Sequence, residues 1–298
     1  MAAWAPLLLL VLLGALSLRL DDSAAPQQGV VRIGSKNFTE QLVLAEVVAQ
    51  LVEARTNLRV ERYMNLGGTM ICHEALISGE LDLYVEYSGT ALTAVLNLEM
   101  PESPDEVWPL VTEAYRERFD LEWLEPLGFD NSYTIAVRRN DARARGWATI
   151  SDLARDAPRL RAGFTAEFAE RADGYPGLSR RYGFEFVEVH DLEPALMYSA
   201  IARNEVDAIA AFATDGRIEA NDLQTLRDDA SYFPPYQAAP VARREVLERW
   251  PELRQALAAL ADRIDDTTMR GLNGAVDEGK RSLETVASEF LREQGLVR

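Results

Sequence analysis

The sequence contains very little cysteine and histidine, the residues that most often build redox and metal sites. It has one cysteine, Cys72, and two histidines, His73 and His190, among 298 residues. One cysteine excludes an intramolecular disulfide and a cysteine-rich metal site, and neither histidine stands in a spacing such as H-E-x-x-H. We therefore expect no metal and no cofactor, and we predict that Cys72 is a small buried hydrophobic residue.

Motifs of common enzyme classes are also lacking. The sequence has no G-x-S-x-G, no phosphate-binding P-loop and no dinucleotide-binding glycine pattern. Basic residues are outnumbered by acidic ones, and the formal net charge is −17. This charge argues against nucleic acid as a partner, because phosphate binding requires clustered Lys and Arg. It is compatible with a cationic ligand, and equally with acidity that only keeps the protein soluble. We predict a protein that is not an enzyme.

A long apolar run is found at the N-terminus, from Leu7 to Leu18. Its length is typical of a signal-peptide core and short for a membrane span. The small residues Ser23, Ala24 and Ala25 could supply the cleavage site. We predict a signal peptide over residues 1–25 and export to the periplasm, with an uncleaved N-terminal anchor as the alternative.

Strand and helix patterns alternate along the rest of the chain, which is too long for one compact core. Residues 30–33 read as a strand, and Asn37 followed by Glu40 has the form of a capping box that begins a helix. A second helical pattern over residues 69–78 stops at Gly79, a typical residue after a helix end. This βαβ rhythm predicts an α/β fold with mainly parallel sheets and helices on both faces.

An internal repeat supports two similar α/β lobes. Residues 76–84 resemble residues 201–209: each stretch is a helix end, a tight turn, an acidic pair and a strand. Extending the alignment places Tyr87 opposite Phe212. Ligands of such sheets bind beyond the carboxyl ends of the strands, so these two aromatic rings either face each other across a cleft or plug the cores of their own lobes.

Aromatic rings at segment junctions suggest binding of a quaternary ammonium. Such a cation has no hydrogen to donate and is held by ring faces, at roughly 0.5–2 kcal/mol per ring. A carboxylate on the same ligand would require fixed cations, for which Lys36 and Arg171 are candidates. The candidate rings are Tyr87, Tyr133, Phe212 and Tyr236.

Several longer stretches resemble one family, the substrate-binding proteins of osmoprotectant (glycine betaine/carnitine/choline) ABC importers. They lie in the expected order over roughly residues 30 to 240. The matching stretches are residues 34–41, 65–69, 79–90, 167–178, 213–216 and 233–236. The resemblance implies a type II periplasmic-binding-protein fold with two α/β lobes joined by two crossover segments. The lobes would comprise residues 29–132 plus 238–298, and residues 133–237.

The resemblance also assigns roles to residues of this chain. It implies an aromatic cage of Tyr87, Tyr133, Phe212 and Tyr236, with Phe212 where the family often has Tyr. Polar contacts to the ligand would come from Lys36, Thr90, Arg171 and Asn131. The implied mechanism is capture of a glycine betaine-like zwitterion between the lobes, without chemistry, and delivery to a membrane permease by a monomeric protein.

Other ligands and one other class of function stay open. Phe212 and Asn131 leave room for choline, carnitine, ergothioneine or another small organic cation. The alternative of a different class is an enzyme or a sensor built on this fold. An enzyme would convert its ligand on incubation, whereas a binding protein returns it unchanged.

Overall fold

A computed structural model describes residues 29–298 of the chain. The predicted signal peptide over residues 1–25 lies outside this part. Within residues 29–298, no helix is both long and apolar enough to cross a bilayer.

Strands and helices alternate as predicted. The strands are β1 (Val30–Gly34), β2 (Arg59–Tyr63), β3 (Leu83–Tyr87), β4 (Leu121–Trp123), β5 (Tyr133–Arg138), β6 (Arg161–Phe164), β7 (Glu188–Asp191), β8 (Ala208–Phe212), β9 (Leu223–Leu226) and β10 (Ala238–Arg243). The helices are α1 (Thr39–Arg55), α2 (Thr69–Ile77), α3 (Ser88–Thr90), α4 (Val107–Phe119), α5 (Arg139–Arg145), α6 (Ile150–Ala154), α7 (Ala166–Glu170), α8 (Tyr175–Tyr182), α9 (Pro194–Ala202), α10 (Arg217–Ala220), α11 (Arg244–Arg249), α12 (Pro251–Ala258), α13 (Asp266–Asp277) and α14 (Leu283–Glu293). Helix α3 continues into a π-helical turn at Ala91–Val95.

The strands form two five-stranded sheets, with the orders β2-β1-β3-β10-β4 and β7-β6-β8-β5-β9. We call the first sheet and the helices that pack on it lobe 1, and the second sheet and its helices lobe 2. The chain passes from lobe 1 to lobe 2 between β4 and β5 and returns between β9 and β10, and these two segments pair at Asp130 and Gln237. This two-lobed α/β architecture confirms the predicted fold class.

The internal repeat is confirmed, because β3 and β8 occupy the same central place in their sheets. Each strand is preceded by an aspartate that binds the strand beside it. Asp82 accepts a hydrogen bond of 2.8 Å from the backbone N–H of Arg32, and Asp207 accepts one of 3.0 Å from that of Arg161. The aspartate of each acidic pair noticed in the sequence thus ties neighbouring strands together in both lobes.

The C-terminal helices complete the core of lobe 1. Leu253 of α12, Met269 of α13 and Phe290 of α14 are buried in one apolar cluster with Leu44 and Val48 of α1. Packing against α1 in this way removes its apolar surface from water on the side facing away from the sheet, so α1 is buried over most of its length.

Two local predictions were tested directly. The capping box at the start of α1 was wrong: the N-cap residue is Phe38, and no side chain caps the helix. Glu40 instead directs its carboxylate to other elements, as described below. Cys72 is fully buried as predicted, and burial raises the pKa of its thiol to about 12.

Candidate functional site

A cavity of about 220 Å³ lies between the two lobes, beyond the carboxyl ends of β3 and β8. This volume has room for several water molecules. All eight residues predicted for the site line this cavity: Lys36, Tyr87, Thr90, Asn131, Tyr133, Arg171, Phe212 and Tyr236.

The aromatic side of the cavity is one continuous group of rings. Tyr133 lies 4.8 Å from Phe212 and 5.5 Å from Tyr236, measured between ring centroids. Phe38, just before α1, stacks on Phe212 at 5.2 Å with an interplanar angle of 12°, and it lies 6.3 Å from the ring of Tyr87. Phe38 therefore connects the aromatic residue that ends β3 with the one that ends β8. Both strand-end rings line the cleft rather than only their own cores.

Tyr236 presents an unused polar group at this wall. The residue is buried, and its hydroxyl has no hydrogen-bond partner within residues 29–298. Buried hydroxyls are rarely left without a partner. A ligand in the cavity with a donor or acceptor at this point would satisfy it.

The first predicted cation, Lys36, is already paired. Its ammonium nitrogen lies 2.6 Å from Oε1 of Glu86 and donates to the hydroxyl of Thr69 at 2.9 Å. Both charged side chains are buried. The same nitrogen lies 5.2 Å from the ring centroid of Tyr87. A ligand carboxylate at this position would have to share Lys36 with Glu86.

The second predicted cation, Arg171, is also paired with carboxylates. Arg171 directly follows α7. Its Nη1 donates to Oε1 of Glu167 at 3.0 Å, and its Nε donates to Oδ1 of Asp173 at 2.8 Å. Burial opposes ionisation of Glu167, but the charges of Lys36 and Arg171 outweigh it and hold the pKa of Glu167 below its usual value. Glu167 is therefore ionised at neutral pH.

Acidic groups outnumber basic ones on the cavity wall. Glu167, Asp191 and Glu193 face two cations, Lys36 and Arg171. The wall thus carries an excess of negative charge, which favours a ligand with a positive group.

Glu40 lies behind the cavity wall and binds four other elements. Its Oε1 accepts from the hydroxyl of Tyr87 at 2.7 Å and from the amide of Asn131 at 2.8 Å. Its Oε2 contacts the hydroxyl of Thr214 at 2.5 Å and the amide of Asn273 at 3.1 Å. Complete burial raises the pKa of Glu40 to about 7, although these hydrogen bonds lower it.

Direct contacts join the lobes on both sides of the cavity. On one side the hydroxyl of Thr93, which follows α3, lies 2.5 Å from Oδ2 of Asp173 in lobe 2. On the other side Arg217 of α10 lies 3.2 Å from Asp277 of α13. The two lobes are therefore in a closed arrangement around the cavity.

Sequence reasoning did not assign three residues that shape the site: Phe38, Glu40 and Glu167. All three lie inside the stretches that match the family, and this position was the available signal. The direction of their side chains depends on how distant segments pack, which spacing along the chain does not reveal.

Comparisons with known proteins agree with this geometry. Residues 29–293 match the family described as the substrate binding domain of an ABC-type glycine betaine transport system. A carnitine transport binding protein of Listeria monocytogenes is 34% identical over 289 residues, covering 95% of this chain and 94% of that protein. A glycine-betaine-binding protein of Pseudomonas aeruginosa is 34% identical, covering 91% and 90%.

A further relative is longer than this chain. An ergothioneine transport permease/ergothioneine binding protein of Helicobacter pylori is 35% identical over 288 residues, and the match spans 96% of this chain but only 52% of that protein. Among solved structures, a glycine betaine/carnitine/choline ABC transporter protein has a TM-score of 0.73 at 32% identity, covering 89% of this chain and 99% of that one. This chain belongs to the family of substrate-binding domains of ABC-type glycine betaine transport systems.

Proposed function

We propose that this protein is the periplasmic, monomeric substrate-binding subunit of an ABC importer and that it captures a quaternary-ammonium solute such as glycine betaine. The observation that carries this proposal is the group of five aromatic rings around a closed cavity between two lobes. Rings in this number can hold a cation that has no hydrogen to donate. The bound solute leaves unchanged and passes to the membrane permease.

Capture proceeds by closure of two lobes, residues 29–132 plus 238–298 and residues 133–237. Each lobe supplies part of the aromatic wall: Tyr87 ends a strand of lobe 1, and Phe212 ends a strand of lobe 2. A cation between the lobes therefore gains its full set of ring contacts only in the closed form. Binding shifts the population toward closure, and the closed form is the one that the permease recognises.

A zwitterion would place its carboxylate against polar groups of the cavity wall. Lys36, Thr90 and Arg171 line the cavity, and the hydroxyl of Tyr236, which has no partner within residues 29–298, adds a fourth donor. Because Lys36 and Arg171 keep their own carboxylate partners, they bind this group by sharing. Micromolar affinity corresponds to about 8 kcal/mol, which several ring contacts and one charge-assisted pair can supply after ordering costs.

A choline-like cation is the second candidate. The observation that favours it is the pairing of both cations, which leaves the wall with an excess of negative charge. Carnitine and ergothioneine belong to the same test, because relatives of similar identity carry those names.

The test is isothermal titration calorimetry of the purified protein with glycine betaine, choline, carnitine and ergothioneine. Binding of glycine betaine that is lost in Tyr87→Ala and strongly weakened in Arg171→Ala supports the zwitterion. Choline binding that survives Arg171→Ala supports the second candidate. If none of the four binds, the quaternary-ammonium assignment is wrong. Mass spectrometry of the ligand after incubation separates capture from an enzymatic conversion.

A further inference from the structure

Three polar side chains behind the cavity form a closed ring of contacts. Oε1 of Glu40 lies 2.8 Å from Nδ2 of Asn131, and Oδ1 of the same amide lies 2.8 Å from the hydroxyl of Thr214. This hydroxyl lies 2.5 Å from Oε2 of Glu40, which closes the ring. All three residues are buried. Each of the three contacts needs one proton between its two heavy atoms to be a hydrogen bond.

Asn131 and Thr214 together supply only two of the three protons. The hydroxyl of Thr214 has one proton, and the NH₂ group of Asn131 faces only one of its two partners. Reversing the amide of Asn131 exchanges which partner receives its proton and leaves the count at two, so the result does not depend on how the amide is assigned. An ionised Glu40 would leave two oxygen lone pairs facing each other at hydrogen-bond distance.

We propose that Glu40 carries a proton in the closed form, and that ligand capture therefore takes up one proton. With Glu40 protonated, its O–H donates to Thr214, the hydroxyl of Thr214 donates to Asn131, and the amide of Asn131 donates back to Glu40. The ring is then complete. Glu40 is thus a positioning residue, because the same carboxyl group also orients the hydroxyl of Tyr87 at the cavity wall.

The ring joins the two lobes, which couples it to closure. Glu40 belongs to α1 in lobe 1, whereas Thr214 follows β8 in lobe 2. Opening the lobes removes Thr214 from Glu40 and lets water solvate the carboxylate, which favours ionisation. This inference rests on the proposed function only in that the lobes open and close around a ligand.

The surrounding charges agree with a neutral Glu40. Complete burial is the main cause that raises the pKa of Glu40, and the charge of Asp215, which follows Thr214, raises it further. Arg217 lies 2.6 Å from Asp215 and 3.2 Å from Asp277, so its charge is balanced by those two carboxylates. The titratable and charged groups around Glu40 include Tyr87 from β3, Tyr198 from α9, Asp215 and Arg217 after β8, and Asp277 from α13. Arg270 of α13 is a further cation on this side, and its guanidinium donates to the backbone oxygen of Ala213 at 3.3 Å.

The direction of the pH effect follows from linkage. The closed form holds its proton up to a pKa of about 7, whereas a solvated glutamate ionises near ~4.3. The proton on Glu40 therefore stabilises the closed form fully at pH values below ~4.3. This stabilisation decreases as the pH rises, and it is lost once the pH has passed through the pKa of about 7 of the closed form. The dissociation constant increases by at most about tenfold per pH unit in between, and by about tenfold from pH 6 to pH 8.

The experiment measures proton uptake by calorimetry on the full chain, with whichever of glycine betaine, choline, carnitine and ergothioneine binds. Titrations in buffers of different ionisation enthalpy at pH 6 are expected to show about one proton taken up per ligand, and at pH 9 about none. Uptake that is zero at both pH values overturns the proposal.

Two variants identify the group that takes up the proton. Glu40→Gln carries a permanent N–H donor to Thr214 in place of the acid proton, but its NH₂ group cannot accept from the amide of Asn273, so we expect weaker binding with no difference between pH 6 and pH 8. A pH difference in folded E40Q as large as that of the unmodified protein overturns the proposal. Glu46→Gln is the matched control: it lies on the same helix, is buried, and pairs with Arg62 away from the ring. It is expected to keep the pH dependence of the unmodified protein.

A measurement without ligand separates this inference from the proposed function. The side-chain carboxyl carbon of Glu40 is followed by ¹³C NMR in the ligand-free full chain and is identified by its absence in E40Q. Because the ligand-free lobes open, the titration is run on a chain whose lobes are held closed by a cross-link between T93C and D173C, two positions whose side chains meet across the cleft. In this closed, ligand-free chain we expect a titration midpoint above ~5, and a midpoint at the ordinary value of about 4.3 overturns the inference. Failure of all four ligands to bind would contradict the proposed function and leave this titration as the deciding result.

Discussion

Replacing Phe38 with leucine tests the aromatic wall at the residue that sequence reasoning missed. Leucine keeps an apolar side chain at this position but removes the ring. Phe38 lines the cavity and stacks on Phe212 at 5.2 Å, so the change removes one ring from the wall and one aromatic pair between the lobes.

The expected loss follows from these two contacts. A cation–π contact contributes about 1 kcal/mol, and an aromatic pair contributes roughly 0.5–1.5 kcal/mol beyond its buried area. Together they predict a loss of about 2 kcal/mol, or roughly thirtyfold in Kd. Phe38→Tyr keeps the ring and should bind within about threefold of the unmodified protein.

The assay is calorimetry with glycine betaine and with 3,3-dimethylbutanoate, in which carbon replaces the charged nitrogen. If the rings bind the positive charge, Phe38→Leu should weaken binding of glycine betaine much more than binding of 3,3-dimethylbutanoate, which keeps the carboxylate but has no positive group. Unchanged or tighter binding of glycine betaine by Phe38→Leu would refute the assignment of Phe38 to the cation site. Equal losses for both compounds would show that apolar contact, not charge, explains the effect.

Three further predictions concern closure and stability. Gly68→Ala places a methyl group 2.8 Å from Oε2 of Glu167 across the cleft. It should weaken binding by about 1 kcal/mol, or roughly fivefold, while the free energy of unfolding in urea stays unchanged. Unaltered binding would contradict the closed geometry. Lys36→Met leaves Glu86 buried without a cation and should lower the free energy of unfolding by about 3–5 kcal/mol. The double variant Lys36→Met/Glu86→Gln should recover most of this lost stability. A Lys36→Met variant as stable as the unmodified protein would contradict the pairing. Asp82→Asn should cost about 3 kcal/mol of unfolding free energy, because this buried carboxylate binds the neighbouring strand, and a loss below ~0.5 kcal/mol would show that the strand contact is dispensable.

Local patterns explain why much of the fold was predictable. The alternation of strands and helices and the stop at Gly79 depend on residues close together in the chain, and φ of +80° at Gly79 is a conformation that glycine adopts readily. The repeat that aligned Tyr87 with Phe212 was informative for the same reason. Equivalent local sequences placed both residues at the ends of equivalent central strands.

The capping box at Asn37 and Glu40 shows where local reasoning failed. The spacing fits a helix start, and a helix does begin at Thr39, but the carboxyl group of Glu40 contacts Tyr87, Asn131 and Thr214 instead. A buried carboxyl group gains more from several convergent donors than from capping one exposed helix end. The donors come from positions up to 233 residues away in sequence, and their convergence cannot be read from spacing.

The sequence by itself determined the α/β class, the two similar lobes, the family and eight of the residues that line the cleft. These properties depend on periodicity and on motifs within single segments. Only the tertiary structure decided which partners the ionisable groups of the site have: Lys36 meets Glu86, Arg171 meets Glu167, and Glu40 meets Thr214 of the other lobe. The physical reason is that the free energy of a buried charge depends on the partners and the water around it, and long-range packing selects both.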